Sequence, residues 1–179
     1  ADMVRTTGYW SWQGAARHVI AAIEIALYDA LAKCNGIPLY AFLGAKKLRP
    51  LRLYASGGNS LTPEWIESEF EEIERLGIDT FKIRARNDQI HKAVWCIKRA
   101  ARSNIGLAVD MTQNLAVPSQ TDQDVMQFVA TIEHDGECRL RFLEEILGPL
   151  DMDRLPALRQ ALGVPVAGGE IVTTPAELC

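Results

Sequence analysis

The sequence predicts an α/β protein that forms part of a barrel of parallel strands and outer helices. Five short apolar segments begin near residues 51, 80, 106, 140 and 164, and helical patterns separate them. Parallel neighbours require such crossovers, so the alternation favours one parallel sheet. Successive strands start about 28 residues apart, and eight such units approach the roughly 250 residues of a complete barrel. An open doubly wound sheet is the alternative, but no glycine-rich phosphate-binding motif follows any strand.

The first predicted element is a helix over residues 15–33. Its apolar residues recur at intervals of four and share one helical face, which is formed by Val19, Ile23, Leu27 and Leu31. The helical pattern stops at Asn35-Gly36, ahead of Pro38. Residues 38–44 are interpreted as a short connection to the strands.

The first strand is predicted over residues 51–56, and a helix follows from Thr62. Pro63 suits the first helical position, and Gly77 suits the stop after the last turn. An inner stripe at helical spacing consists of Ile66, Phe70 and Ile73. The acidic run over residues 67–74 falls outside that stripe, so we interpret it as a solvated helix face.

The remaining units repeat this strand-and-helix pattern. Strands are predicted over residues 80–85, 106–112, 140–146 and 164–170. Helices are predicted over residues 89–102, 122–132 and 151–162, with a last helix starting at Thr174-Pro175. Five units do not close a barrel of eight, so we expect these residues to belong to a longer polypeptide. The unusually long stretch between the third and fourth strands predicts an extra loop over residues 133–139.

The composition excludes two broad functional classes. The chain has 179 residues, 19 basic and 23 acidic side chains, and a net charge of −4. This charge argues against a strongly basic nucleic-acid binder. The longest apolar run lies over residues 19–31, where Glu24 and Asp29 interrupt it. A membrane span needs about 20 apolar residues, so we expect no membrane partner.

The cysteines indicate a reducing compartment. Cys34, Cys96, Cys138 and Cys179 show no C-x-x-C spacing and no close pairing. Neither a zinc knuckle nor a disulfide framework is therefore indicated. We expect a cytoplasmic protein.

Carboxylates stand where three successive strands end. Asp110 ends LAVD, Glu144 lies in FLEE, and Glu170 ends VAGGE. Carboxyl ends of parallel strands meet at one edge, so these groups would repel each other unless a cation lay between them. Three carboxylates without cysteine or histidine suit a hard cation, Mg²⁺ first and Mn²⁺ second. The alternative, that they are helix N-caps or loop charges, stays open at this point.

Two cations end the second strand. Alternation places Lys82 and Arg84 on one face and Phe81 and Ile83 on the other. Two positive charges at the carboxyl end suit an anionic ligand, and a neighbouring positive charge would lower the pKa of Lys82. Pairing of both residues with nearby carboxylates is the alternative interpretation.

Together these segments resemble the mandelate racemase and muconate lactonising enzyme group of the enolase superfamily. Residues 22–45 resemble the helix and barrel entry of that family, and FKIRAR resembles its lysine motif. VDMTQNLAVP, FLEE and VPVAGGE are similar to the motifs of its third, fourth and fifth barrel strands. Five motifs in this order cover nearly the whole chain after about residue 15.

The resemblance implies a fold, a cofactor and a reaction. The fold is α/β: a partial, modified TIM-type barrel of about five βα units over residues 15–179, after a remnant of the capping region or a linker over residues 1–14. Asp110, Glu144 and Glu170 are implied as Mg²⁺ ligands, and Mn²⁺ is possible. A base removes the α-proton of a small carboxylate substrate, and Lys82 and the metal stabilise the enediolate, as in enolase-superfamily sites generally. We expect dehydration of an acid sugar; racemisation or epimerisation, or non-catalytic binding of metal or carboxylate, are the alternatives.

Several residues depart from the family pattern or have secondary roles. Arg84 replaces the second lysine of the K-x-K motif and is expected to hold charge, because arginine does not deprotonate. Thr112 replaces an asparagine that often follows the first ligand. Ser56, Thr112 and Gln113 are expected near the substrate, and Glu145 is expected to form an ion pair on the opposite face. The base is expected on a strand beyond the five predicted here, and the protein is expected to be a homo-oligomer.

Overall fold

The computed structural model describes residues 2–135 and 140–178. The chain divides into two compact units. The first comprises Ala1–Leu51 with Ile171–Cys179, and the second comprises Arg52–Glu170. Cys138 and Cys179 lie outside the described residues, as does the part of the predicted extra loop over residues 136–139.

The first unit is helical. Its helices are α1 (Asp2–Ser11), α2 (Ala15–Cys34) and α3 (Leu39–Phe42), and Pro175–Leu178 forms a 3₁₀ turn. Helix α2 confirms the prediction over residues 15–33, whereas α1 was not predicted. The apolar face of α2 is exposed in the described structure, with Val19 62% and Leu31 50% accessible. Among the helices of the described residues, none combines the length and apolarity needed to cross a bilayer.

The second unit contains a parallel sheet of five strands, which confirms the predicted fold class. The strands lie side by side in chain order. They are β1 (Ala55–Gly57), β2 (Thr80–Arg84), β3 (Gly106–Asp110), β4 (Leu140–Glu144) and β5 (Val166–Ala167). Sequential order with a helix between neighbouring strands is the topology of a barrel segment, because a doubly wound sheet reverses its strand order.

Four helices connect the strands. They are α4 (Pro63–Leu76), α5 (Ile90–Arg102), α6 (Asp122–Asp135) and α7 (Leu155–Leu162). Helix α4 ends at Gly77, whose φ of 67° is left-handed as the predicted stop requires. Helix α6 continues three residues beyond the predicted end, so part of the expected extra loop is helical.

The two faces of the sheet differ in chemistry because β-strands alternate. Phe81 and Ile83 of β2, with Leu107 and Val109 of β3, belong to the buried apolar core. The predicted stripe of α4 packs into the same core, with Ile66, Phe70 and Ile73 each at most 4% exposed. Lys82 and Arg84 lie on the other face, as alternation predicts. The helices therefore cover one face, and the charged residues occupy the other.

Three residues of the acidic run on α4 have polar partners outside the helix. Arg99 of α5 is paired with Glu67 at 2.6 Å and with Glu74 at 2.8 Å. The Glu69 carboxylate accepts a hydrogen bond from the backbone N–H of Gly58. Glu74 is exposed and Glu67 and Glu69 are partly exposed, so the run lies outside the buried stripe as predicted. Helical periodicity does not reveal the partners that Arg99 and Gly58 supply.

Several predicted strands are too long. The first begins at Ala55 instead of residue 51, the third ends at Asp110, and the fifth spans only Val166–Ala167. Apolar patterning continues beyond the ladder, whereas the strand itself ends where backbone pairing with its neighbour ends. The register fixes those ends: β1 pairs with β2 only at Ala55–Gly57.

Gly58 should be the least replaceable of the strand-exit glycines. Its φ is 62°, and an added Cβ would lie 2.6 Å from Ile83 Cγ2. Gly58→Ala should lower the free energy of unfolding by about 2–4 kcal/mol, through backbone strain and overpacking together. Gly77→Ala is the control, since its φ is also left-handed but its Cβ would meet open space; we expect about 1 kcal/mol. Urea titration measures both, and equal losses would contradict the packing contribution.

Cys96 should resist alkylation in the folded protein. Its side chain lies in the core at 0% exposure, and burial raises the pKa of the thiol to about 12. Because the reactive species is the thiolate, iodoacetamide at pH 8–9 should leave Cys96 unmodified until urea unfolds the chain. The exposed Cys34 serves as the internal control and should react in the native state. Peptide mapping by mass spectrometry measures the modification of each cysteine. Similar rates at Cys96 and Cys34 in the native protein would contradict the prediction.

Candidate functional site

The candidate site lies at the carboxyl ends of β2, β3 and β4. The register pairs Arg84 with Asp110 and Asp110 with Glu144. These three residues and Lys82 therefore share the sheet face opposite the helices. The parallel register, rather than any loop, sets the spacing of these groups.

Lys82 is a buried cation paired with a carboxylate. Its Nζ donates a hydrogen bond to Glu144 Oε1 at 2.5 Å, and the two side chains are 11% and 18% exposed. Nζ also lies 5.4 Å from the centre of the Tyr54 ring. Burial lowers the pKa of Lys82. The hydrogen bond and charge of Glu144, with smaller contributions from Tyr54 and Asp110, raise the pKa by more than burial lowers it. The resulting pKa lies above the ordinary value, so Lys82 carries its charge at neutral pH.

Asp110 is the most deeply buried carboxylate of the site. It is 2% exposed, and its Oδ1 accepts the backbone N–H of Thr112 at 2.8 Å. Arg84 Nε lies 3.5 Å from Oδ2, although the Arg84 side chain is 56% exposed. Burial raises the pKa of Asp110 most, the Thr112 bond lowers it, and the charge of Glu144 raises it again. The two adjacent carboxylates are thus partly neutralised by Lys82 and Arg84, as in the alternative interpretation of these cations.

Glu170 follows β5 by three residues and is held by an amide. Asn114 Nδ2 donates to Glu170 Oε2 at 2.9 Å. The Oδ1 atom of Asn114 is buried and has no hydrogen-bond partner among the described residues. No sequence motif singles out Asn114, although it lies only four residues beyond Asp110. The same is true of Tyr54, which lies close to Lys82.

The donor set matches a hard divalent cation in chemistry. Asp110, Glu144 and Glu170 offer only carboxylate oxygens, and the unpaired Asn114 oxygen adds a neutral donor beside Glu170. In the described ranges, no three acidic, cysteine or histidine side chains are gathered closely enough to hold a metal. Lys82 and Asn114 engage the ligand candidates instead, so the predicted three-carboxylate site stays a prediction.

The expected substrate-contacting residues differ in their surroundings. Ser56 is exposed and pairs with Lys82 in the β1–β2 register. Thr112 has a left-handed φ of 49°, and its hydroxyl accepts from Arg86 Nε at 2.8 Å. Gln113 is 5% exposed, and its side chain bonds within its own loop, to Met111 and Gln120. Substrate contact stays a prediction for all three.

Glu145 is buried, and within residues 2–135 and 140–178 it has no ion pair of the expected kind. Its Oε1 accepts the backbone N–H groups of Gly169 at 2.6 Å and Glu170 at 2.9 Å. In this part of the chain, backbone donors from the β5 exit take the place of the predicted ion pair. The sequence pattern does not show that the backbone N–H groups after β5 point toward Glu145.

Known proteins similar to this chain include dehydratases and epimerases. A D-galactonate dehydratase family member from Streptomyces sp. (strain SPB074) is 25% identical over 192 residues, covering 92% of this chain and 42% of its own. The L-Ala-D/L-Glu epimerase of Bacillus subtilis (strain 168) is 28% identical over 155 residues, covering 87% and 41%. The chain thus spans less than half the length of these relatives.

The fold comparison and the family model agree. A Bradyrhizobium enolase crystallised with magnesium and mandelic acid matches 99% of this chain and 47% of its own, with a TM-score of 0.80 and 20% identity. The family model described as enolase C-terminal domain-like matches residues 65–178. That range contains all the strand-end residues from Lys82 to Glu170, and it confirms the resemblance found in the motifs. The chain therefore belongs to the enolase C-terminal domain-like family, in the mandelate racemase and muconate lactonising enzyme group of the enolase superfamily.

Proposed function

We propose that this protein catalyses Mg²⁺-dependent removal of the α-proton of a small carboxylate, leading to dehydration of an acid sugar. The observation that carries the proposal is the buried Lys82–Glu144 pair beside Asp110, on the sheet face opposite α4, α5 and α6. A charged lysine held among carboxylates at strand ends suits stabilisation of negative charge that develops on a substrate. The family relationship supports the same chemistry.

Asp110, Glu144 and Glu170 would hold the cation, with Mg²⁺ favoured and Mn²⁺ as the second choice. The cation supplies Lewis-acid stabilisation of the substrate carboxylate when it is bound. Its support is the oxygen-only donor set and the magnesium in the Bradyrhizobium structure. Binding requires Glu144 and Glu170 to share their oxygens with Lys82 and Asn114, or to release them. The Lys82 charge would then be available for the substrate.

Lys82 and Arg84 have different tasks in this proposal. Lys82 is buried and charged, so it stabilises the enediolate through its Nζ. Arg84 is more than half exposed, and its planar guanidinium matches an anionic group, so it holds an anionic substrate group at the mouth of the site. Neither residue accepts the α-proton in these protonation states. We assign acceptance of the α-proton to a base other than these two residues.

Arg84 at the end of β2 favours dehydration over epimerisation as the proposed reaction. Epimerisation needs bases on both faces of the α-carbon, and Arg84 is a poor base where the family motif has a lysine. Dehydration needs one base for the α-proton and an acid that protonates the β-hydroxyl, which leaves the enediolate as water. The D-galactonate dehydratase family member supports this preference, and the L-Ala-D/L-Glu epimerase supports the second candidate. A substrate panel of acid sugars, 2-hydroxy acids and dipeptides separates the two.

Replacing Lys82 should abolish most of the proposed activity. Lys82→Met should lower kcat by about 10²-fold or more, the scale for one lost charge-stabilising donor. The assay is α-proton exchange in D₂O and product formation by the full-length protein on the substrate panel. Lys33→Met is the control, because Lys33 forms an exposed ion pair with Asp29 on α2. Turnover by Lys82→Met at the wild-type rate would contradict a role for Lys82 in the chemistry, and no turnover by the wild type on any member of the panel would favour non-catalytic binding of metal or carboxylate.

Replacing Asp110 should weaken cation binding. Asp110→Asn removes the charge of the most buried candidate ligand, so calorimetry with Mn²⁺ should show a dissociation constant raised by at least about 10-fold. Asp29→Asn is the exposed control and should leave the constant unchanged.

Chelation by EDTA should abolish activity, and added Mg²⁺ should restore it. Full activity after chelation would contradict the proposed metal dependence.

A further inference from the structure

We infer that Glu145 and Asn114 are positioning residues that fix Glu170 at the exit of β5. The inference rests on the proposed function, which makes Glu170 a cation ligand. Glu145 binds the backbone at Glu170, and Asn114 binds its carboxylate. Two buried side chains from two other strand exits thus hold one exposed acid.

Glu145 connects three strand exits. Its Oε1 accepts from the amides of Gly169 and Glu170, while its own amide donates to Ala167 O at 3.1 Å. Its carbonyl accepts the N–H of Gln113, which follows β3, at 2.9 Å. Its φ of 48° is a conformation that non-glycine residues adopt rarely. A strained backbone directly after β4 turns the Glu145 side chain toward the β5 exit, and the hydrogen bonds offset the strain.

The segment that carries Glu170 needs such a restraint. Gly168 and Gly169 separate Glu170 from β5, and Gly169 has a φ of 107°. Glycine has the largest backbone freedom of any residue, so two in succession leave the following side chain poorly fixed. Bonds from a carboxylate to backbone amides are charge-assisted and stronger than neutral ones. Glu145 therefore supplies the order that the two glycines lack.

Asn114 fixes the other end of Glu170. It is 7% exposed, and Nδ2 donates to Glu170 Oε2, which sets the direction of the carboxylate. The buried Oδ1 of Asn114 has no hydrogen-bond partner in the described chain. An unsatisfied buried oxygen is costly, so its retention beside Glu170 is consistent with an electropositive group filling that space. Asn114 thus orients Glu170 and faces the same space.

The test compares four variants of the full-length protein: Glu145→Ala, Glu145→Gln, Asn114→Ala and Glu69→Ala. Glu69→Ala is the matched control, because its carboxylate also binds a glycine amide at a strand exit but does not contact Glu170. Two readouts are used: calorimetric binding of Mn²⁺, and amide hydrogen exchange resolved at Gly169 and Glu170. Urea midpoints establish that each variant is folded.

We expect Glu145→Ala and Asn114→Ala to raise the Mn²⁺ dissociation constant by about 10-fold or more, the usual effect of removing partners of a metal ligand. Glu145→Ala should also accelerate exchange at Gly169 and Glu170. Glu145→Gln keeps an acceptor oxygen and should restore most of the affinity and protection. Glu69→Ala should change neither readout.

Different failures have different meanings. Unchanged exchange and affinity in Glu145→Ala would overturn the inference even if the wild type binds Mn²⁺ tightly. A loss in Glu145→Gln equal to that in Glu145→Ala would overturn the hydrogen-bond account, and an equal loss in Glu69→Ala would reduce it to general destabilisation. Absence of Mn²⁺ binding by the wild type would overturn the proposed metal function and the positioning role with it. The exchange data would still report separately whether Glu145 orders the β5 exit.

Discussion

The repulsion between carboxylates at adjacent strand ends is the constraint on which the rest of the site depends. Asp110 and Glu144 are paired in the β3–β4 register, and both are largely buried. Two like charges in such a setting require compensation, because burial removes the water that would screen them. Lys82 and Arg84 supply it from β2. Burial raises the pKa of Asp110 most, and the charge of Glu144 raises it as well. Burial lowers the pKa of Lys82, but the hydrogen bond and charge of Glu144 raise it by more.

The two faces of the sheet separate the charged residues from the apolar core, so the charges do not weaken the core packing. Helices α4, α5 and α6 bury a continuous apolar cluster against one face, which includes Phe70, Phe81 and Val125. The opposite face can then carry charged groups at its carboxyl edge without interrupting the core. Alternation along each strand separates the two tasks, so a substitution at Phe81 and one at Lys82 should affect different properties, stability in the first case and charge balance in the second.

Backbone conformation at the strand exits brings in residues that the strands cannot supply. Thr112, two residues beyond β3, and Glu145, the residue after β4, both have left-handed φ values. Each turn places a neighbouring group against a carboxylate: the Thr112 amide bonds to Asp110, and the Glu145 side chain bonds to the Glu170 amide. Such left-handed φ values at non-glycine residues are held in place by the surrounding structure. The exits of β3 and β4 show them at the candidate site.

The amino-acid sequence by itself determined the fold class, the family and the positions of the charged residues along the chain. Helical and strand periodicities are local, so α2, the stripe of α4 and the face shared by Lys82 and Arg84 could be predicted. Only the tertiary structure decided which charges meet: Lys82 with Glu144, Arg99 with Glu67 and Glu74, and Glu145 with backbone amides instead of a cation. Those partners lie at least 24 residues apart in the chain. Their meeting depends on the register and on the turns at the strand ends, which no local pattern encodes.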